Sequence, residues 1–171
     1  MKVKTECYDC RLSDGRGHAG QNRKRRRRLL KPEPPWSAHA KDEDSEKLYI
    51  VRHDGEICYV GRTGTSVKAR VQEGLNARYP YGWRHYSRVD ICVCLLGGTA
   101  DRDYGEGVEA ELVHLLRLGD KRRVGKWPSN QHEIHFRHTD GRPDRRCVSV
   151  AKNVYREVMR WEFRPATLSD D

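Results

Sequence analysis

Long apolar runs are missing from this sequence. Only 36% of its 171 residues are hydrophobic and 35% are charged, and no stretch approaches the roughly 20 apolar residues of a membrane-spanning helix. No apolar segment follows the N-terminal basic residues, which argues against a secretory signal. We therefore expect a cytoplasmic protein, or a nuclear one if the organism has a nucleus, and no membrane partner.

Cysteine is too sparse for a scaffold held together by disulfides. The six thiols are scattered over the chain, at positions 7, 10, 58, 92, 94 and 147. We expect them to be reduced, and those in predicted strands to be small core residues, namely Cys58, Cys92 and Cys94. Cys7 and Cys10 have the spacing of half a zinc site, and His18 could be a third ligand, but a second Cys or His pair is missing nearby. Zinc is therefore not the metal that we expect.

The excess positive charge is concentrated at one end of the chain. Residues 1–31 hold 11 Lys and Arg against 3 Asp and Glu, whereas the rest of the chain is nearly neutral. The block at 23–28 repels itself and stays solvated unless it meets phosphates. We predict that residues 1–46 form an irregular, disordered basic arm with a proline-rich linker. Its expected DNA-binding residues are Arg25, Arg26, Arg27 and Arg28; a solvated tail without specific contacts, or without function, is the alternative.

Residues 48–62 have the pattern of a β-hairpin. They divide into a strand, a turn and a returning strand: Leu48–Arg52, His53–Gly55 and Ile57–Gly61. The Asp-Gly pair predicts the tight turn because both residues accept a positive φ at low cost. The paired strands carry Tyr49 and Tyr59, and Gly61 allows the backbone to pass close to a neighbour.

Further elements follow the hairpin. Apolar positions at helical spacing predict a helix that begins at Ser66, a second helix over 106–118 and a last helix from Ser149 to Trp161. The apolar run at 89–96 predicts a central strand. The order is thus strand, strand, helix, strand, helix, followed by a basic loop and a further helix.

This order and its tyrosines resemble the GIY-YIG nuclease family. The two half-motifs are Leu48-Tyr49-Ile50 and Tyr59-Val60-Gly61, and the resemblance covers residues 47 to about 136. It implies an α/β (α+β) domain over 47–163, with a small antiparallel three-stranded sheet flanked by helices, before a frayed acidic tail at 164–171. It also implies an endonuclease that hydrolyses DNA phosphodiester bonds with Mg²⁺ or Mn²⁺.

The resemblance also implies roles for individual residues. Arg70 matches the arginine that the family places after its second tyrosine strand, and Glu109 matches the glutamate of its catalytic helix. Glu109 would hold the metal ion, with Glu111 as the alternative ligand, because Mg²⁺ needs only one or two protein carboxylates. Arg70, helped by Arg62, would clamp the scissile phosphate.

Three further positions complete the expected catalytic set. Tyr59 or Tyr49 would orient or deprotonate the attacking water, and Asn130 matches the asparagine that follows the family's glutamate helix. Many family members carry a histidine or tyrosine where this chain has Gly74, and His85 could supply a polar group instead.

Two other functions remain open from the sequence. One is a catalytically inactive nucleic-acid-binding module of the same fold, which Gly74 and the altered first half-motif favour. The other is a zinc-stabilised interaction protein built on Cys7, Cys10, His18 and the histidines at 132–138. No helix-turn-helix or zinc-finger reader is evident, so a protein partner could supply the DNA target specificity.

Overall fold

The computed structural model describes residues 3–14, 28–42, 44–77, 82–96, 101–118 and 144–160. One antiparallel sheet contains five strands: β1 (Lys4–Asp14), β2 (Arg28–Glu33), β3 (Lys47–His53), β4 (Glu56–Thr63) and β5 (Arg88–Leu95). The strand order across the sheet is β2-β1-β5-β3-β4. The helices are α1 (Ala38–Lys41), α2 (Val67–Asn76), α3 (Arg102–Leu118) and α4 (Arg145–Arg160), and a short 3-10 helix spans Gly82–His85. The fold is therefore α+β, with a sheet flanked by helices.

The prediction of a three-stranded sheet is wrong, because two N-terminal strands extend it. β1 pairs with β5 along its length and with β2 on its other side. Within β1 the buried side chains alternate with more exposed ones: Tyr8, Cys10 and Leu12. This period of two is the pattern of a strand with one covered face, and the surrounding charges concealed it.

The prediction of an irregular arm over 1–46 is accordingly wrong for β1, β2 and α1. Arg28 is the first residue of β2, and its backbone N–H donates to Asn76 Oδ1 on α2 at 2.9 Å. Residues 15–27, with Arg25, Arg26 and Arg27, lie outside the described residues, as does the predicted acidic tail.

The predicted hairpin is confirmed. β3 and β4 pair directly, and the turn between them has positive φ at Asp54 (48°) and Gly55 (81°). The register shifts between Val51 and Arg52, which indicates a bulge or irregularity in the ladder. β4 is an edge strand of the sheet.

Helices cover both faces of the sheet, so the core has two layers. On one face α3 and α4 pack against alternate residues of the sheet, with a core that includes Leu48, Ile50, Val60, Val108, Leu112 and Val154. On the other face α1, α2 and two tryptophans form the second layer, with Tyr49, Val51, Ile91, Val67, Val71 and Trp83. Adjacent residues of β3 therefore belong to opposite layers, as alternation along a strand requires.

Two helices begin earlier than predicted. α4 begins at Arg145 and not at Ser149, because Asp144 acts as the cap: its Oδ1 accepts the Arg146 N–H at 2.7 Å. Trp161, the predicted end, lies outside the described residues. α3 begins at Arg102, four residues before Glu106. α2 begins after Ser66 as predicted.

The predicted core cysteines Cys58, Cys92 and Cys94 are buried. Cys7 and Cys10 are three residues apart on β1, so their side chains lie on opposite faces, with Cys7 exposed and Cys10 buried. Half a zinc site formed by these two thiols is therefore incompatible with the strand. Among the residues described above, no helix is long and apolar enough to cross a membrane.

Candidate active site

A stacked pair of tyrosines lies at the centre of the hairpin. The rings of Tyr49 and Tyr59 have centroids 5.9 Å apart and an interplanar angle of 27°. Trp83 lies against Tyr59, with ring centroids 6.5 Å apart. Gly61, directly opposite Tyr49 in the ladder, makes this packing possible: a Cβ at Gly61 would lie 2.4 Å from Tyr49 Cζ and 2.7 Å from Tyr59 Cε1.

The two tyrosines differ in their access to solvent. Tyr49 is only 1% exposed, whereas Tyr59 is partly exposed. A residue that orients a water molecule at a substrate must reach that substrate. The geometry therefore favours Tyr59 over Tyr49 for this role and gives Tyr49 the role of a support beneath it.

Arg62 joins two carboxylates on the α3 face of the sheet. Its Nη1 lies 3.3 Å from Glu46 Oε2, and its Nη2 donates to Glu106 Oε1 at 2.9 Å. Glu46 is buried at the start of β3, and Gly105 of α3 leaves room for it, since a Cβ there would lie 2.4 Å from Glu46 Oε2. The cluster thus connects strand and helix through one guanidinium group.

The two carboxylates respond differently to this environment. Burial raises the pKa of Glu46, and the positive charge of Arg62 only partly opposes that rise. The pKa of Glu106 is lowered, chiefly by the hydrogen bond from Arg102 (2.8 Å) and then by Arg62. Glu106 is thus a stable anion, whereas Glu46 depends on its arginine to remain charged.

Glu109 lies about one helical turn after Glu106 on α3. Burial raises the pKa of Glu109 to about 7, and the negative charges of Glu106 and Glu46 add to that rise. The positive charges of Arg62 and Arg70 oppose it. Within the described part of the chain, no cation lies within ion-pair distance of the Glu109 carboxylate. A desolvated carboxylate without an ion-pair partner in that part of the chain is a candidate for binding a cation.

The positive charge of Arg70 opposes the rise in the pKa of Glu109, although the two residues lie on helices in opposite layers of the fold. Arg70 lies on α2, its side chain is 47% exposed, and its Nη1 is 3.5 Å from Glu73 Oε2. α2 and α3 pack on opposite faces of the sheet, so this influence acts between the two layers of the core. Arg62, Arg70 and Glu109 are thus coupled electrostatically. Tyr59 lies on β4 as well, but its ring packs in the α2 layer with Tyr49 and Trp83. We treat these four residues as the candidate site.

The alternative metal ligand is in a different place. Glu111 is buried. Burial is the main cause of the raised pKa of Cys147 on α4, and the negative charge of Glu111 makes a smaller contribution to it. Glu111 therefore belongs to the interface between α3 and α4. The positive charges of Arg62 and Arg70 act on Glu109, which we therefore keep as the candidate metal ligand.

The structure does not bring the other predicted residues into the candidate site. His85 is exposed at the last position of the 3-10 helix, and Gly74 is buried in α2. Asn130 lies outside the described residues. Sequence reasoning missed Glu46 and Glu106. The sequence could have indicated Glu106, because it precedes Glu109 by three residues on one predicted helix and so shares its face. Glu46 is revealed only by the tertiary structure.

The described residues contain no group of three or more His, Cys, Asp or Glu side chains arranged to hold a metal ion. A lone carboxylate is nevertheless a sufficient protein ligand for Mg²⁺, which keeps most of its waters and also binds substrate phosphate. In comparisons with protein-family models, curated proteins and solved structures, no match to this chain was found.

Proposed function

We propose that this protein is a GIY-YIG-like endonuclease that hydrolyses DNA phosphodiester bonds with Mg²⁺ or Mn²⁺. The observation that carries the proposal is the position of Glu109. Its carboxylate is partly buried, without an ion-pair partner among the described residues, and within the electrostatic influence of two arginines from different elements. Phosphodiester hydrolysis needs such a combination of a site for a cation and positive charge for the phosphate.

The donor set fits Mg²⁺ better than a soft metal. Glu109 supplies a hard oxygen ligand, and Glu46 and Glu106 add negative charge around it. When bound, Mg²⁺ would neutralise negative charge on the phosphate oxygens. The carboxylate of Glu109 would hold the ion in its deprotonated form, so metal affinity is expected to rise with pH up to about 7 and then level off.

The two arginines have separable roles in this proposal. Arg70 lies on α2 with about half of its side chain exposed, so its guanidinium is accessible to a phosphate, whose developing charge it would stabilise. Arg62 is already held by Glu46 and Glu106. We therefore assign Arg62 to positioning the acidic residues, and Arg70 to binding the phosphate.

Tyr59 is the residue that would orient the attacking water. It is partly exposed on β4, and its ring is fixed between Tyr49 and Trp83. A free tyrosine, with a pKa of about 10, is a weak base at neutral pH. Nearby positive charge from an arginine or a metal ion lowers that pKa, which is the change that base catalysis requires.

A catalytically inactive DNA-binding module is the alternative, and two observations favour it. Two carboxylates already neutralise Arg62, and Gly74 offers no side chain where the family carries histidine or tyrosine. Such a protein would bind DNA without cutting it. It would also bind equally well with and without Mg²⁺.

Nicking of supercoiled plasmid separates the two functions. We expect nicking by the wild-type protein in Mg²⁺, no nicking in EDTA, and loss of about two orders of magnitude or more in rate for Glu109→Gln and Arg70→Ala. Glu157→Gln is the matched control, because it removes a helix carboxylate that pairs with Arg160 on α4, away from the candidate site. DNA binding without nicking in any divalent metal would leave the inactive module as the better explanation.

A further inference from the structure

Two cysteine thiols meet across neighbouring strands, away from the candidate active site. Cys7 of β1 lies directly opposite Cys92 of β5, and the Cys92 thiol donates to Cys7 Sγ at 2.8 Å. The pair joins β1 and β5, and strand β3 separates β5 from the edge strand β4. Nothing in the proposed nuclease chemistry uses these thiols.

The register places the pair where a disulfide can close. The Leu12 N–H donates to Ser87 O at 2.7 Å, so Leu12 and Ser87 form a hydrogen-bonded pair in the β1–β5 ladder. Hydrogen-bonded and non-hydrogen-bonded pairs alternate in antiparallel sheets, which makes Cys7 and Cys92 a non-hydrogen-bonded pair. Their Cα atoms are then about 4.5 Å apart, inside the span of about 4.4–6.8 Å that disulfides tolerate.

The two thiols differ in exposure and in pKa, the two properties that decide which thiol attacks a disulfide first. Cys7 is exposed, and the hydrogen bond from Cys92 lowers its pKa, with help from the charge of Arg52 and against burial and Asp90. Cys92 is buried, and burial raises its pKa. Cys7 is thus the accessible attacking thiol and Cys92 the resolving thiol. The remaining described thiols are all buried, at Cys10, Cys58, Cys94 and Cys147.

We propose that Cys7 and Cys92 form a thiol–disulfide exchange site whose oxidant is a small disulfide of the glutathione class. The Cys7 thiolate attacks one sulfur of glutathione disulfide, and the first glutathione leaves as a thiolate with the electron pair of the broken bond. The Cys92 proton passes through solvent to the released glutathione thiolate, and the Cys92 thiolate attacks Cys7 Sγ. The bond between Cys7 and the second glutathione breaks, and that glutathione leaves as a thiolate and takes up a proton from solvent. Two protein thiols are oxidised, and one glutathione disulfide is reduced to two glutathione molecules.

The bond would join distant parts of the chain. The two cysteines are 85 residues apart, and the link ties the N-terminal hairpin β1–β2 to strand β5 in the middle of the sheet. A crosslink that closes so long a loop restricts the unfolded chain, so the oxidised protein should melt at a higher temperature than the reduced one.

The test uses the full-length, fully reduced protein under native conditions, with glutathione disulfide as the reagent and peptide mapping by mass spectrometry as the measurement. We expect a Cys7–Cys92 disulfide to form before any other cysteine is modified. Brief treatment with iodoacetamide should alkylate Cys7 at least about ten times faster than any buried thiol.

Three variants assign the roles. Cys92→Ser should stop at a stable mixed disulfide between glutathione and Cys7, and Cys7→Ser should give neither product. Cys58→Ser is the control: its hydroxyl keeps the hydrogen bond to Val51 O, and exchange should proceed as in the wild type. If a variant fails to fold, the peptide map of the oxidised wild-type protein is sufficient to test the proposal. Modification of all six cysteines at one slow rate, or accumulation of the mixed disulfide at Cys7 in the wild type, would overturn the proposal.

Discussion

Arg62 lies between Glu46 and Glu106, with Nη1 3.3 Å from Glu46 Oε2 and Nη2 2.9 Å from Glu106 Oε1. This single guanidinium connects the beginning of β3 to α3 and reaches them from β4. Glu46 is buried, so its charge depends on Arg62 for compensation. The relationship makes Arg62 a structural residue as well as a member of the candidate site.

Replacement of Arg62 by glutamine should destabilise the fold by about 2–4 kcal/mol near pH 8, since it leaves Glu46 buried without its cation. Removing a positive charge raises the pKa of Glu46 further, so the variant should recover stability as the pH falls and Glu46 becomes protonated. Urea unfolding at pH 5 and pH 8 measures both effects. Arg102→Gln is the control, because that arginine is exposed and pairs only with Glu106 among the described residues. An equal loss of unfolding free energy at pH 5 and pH 8 would show that Arg62 does not compensate the charge of Glu46.

Glu109→Gln should stabilise the metal-free protein at high pH. The folded-state pKa of Glu109 is raised from its ordinary value to about 7, so the contribution of Glu109 to stability is fully present below pH 4.5 and is lost as the pH rises through 7. The variant lacks this loss. Well above pH 7 its advantage is at most about 3.5 kcal/mol, since each unit of the rise in pKa from 4.5 to about 7 corresponds to about 1.4 kcal/mol.

Thermal unfolding between pH 4 and pH 8, with and without Mg²⁺, measures the effect of Glu109→Gln. In Mg²⁺ the wild-type protein should regain stability and the variant should not. Parallel pH profiles for the two proteins would contradict the raised pKa.

Gly61→Ala should cost about 1–3 kcal/mol, because the new methyl group would meet the ring of Tyr49. If that contact is the cause, then combining Gly61→Ala with Tyr49→Ala should cost less than the sum of the two single changes. The double-mutant cycle from chemical denaturation gives the answer. Additive costs would show that the glycine is needed for another reason.

Tyr59→Phe should reduce the single-turnover rate of plasmid nicking by about 100-fold or more, while Tyr49→Phe should have a much smaller effect. The difference follows from exposure, because Tyr49 is buried beneath Tyr59. DNA affinity, measured by fluorescence anisotropy, should be unchanged in both variants. Similar nicking rates for Tyr59→Phe and Tyr49→Phe would contradict the assignment of the water-orienting role to Tyr59.

The basic block before β2 gives a prediction about DNA affinity. Replacing Arg25, Arg26 and Arg27 by glutamine should weaken binding at low salt and flatten the plot of log affinity against log salt. Each lost phosphate contact should reduce the slope by about 0.9 on duplex DNA. Glutamine replacements of three lysines elsewhere, at Lys68, Lys121 and Lys152, control for the change in net charge. An unchanged slope would exclude the block as a DNA contact.

Local chemistry in the sequence determined the β3–β4 hairpin. An Asp-Gly turn between two apolar runs has few alternatives, and the period of two along each strand then fixes which residues share a face. The helix after Ser66 and the buried cysteines of β5 follow from equally local patterns. These features need no distant partner, because φ/ψ preferences and alternation act within a few residues.

Only the tertiary structure decided the extent of the sheet and the composition of the site. β1 could not be distinguished from a charged arm until β5 supplied its hydrogen-bonding partner, since an isolated polar strand has no stability of its own. Glu46 became part of the site only because Gly105 on a distant helix leaves space for it. The sequence indicated Glu109 through its resemblance to a family, but burial and two arginines from other elements determine its pKa. Burial and long-range charge depend on the whole fold, and no local pattern in the sequence encodes them.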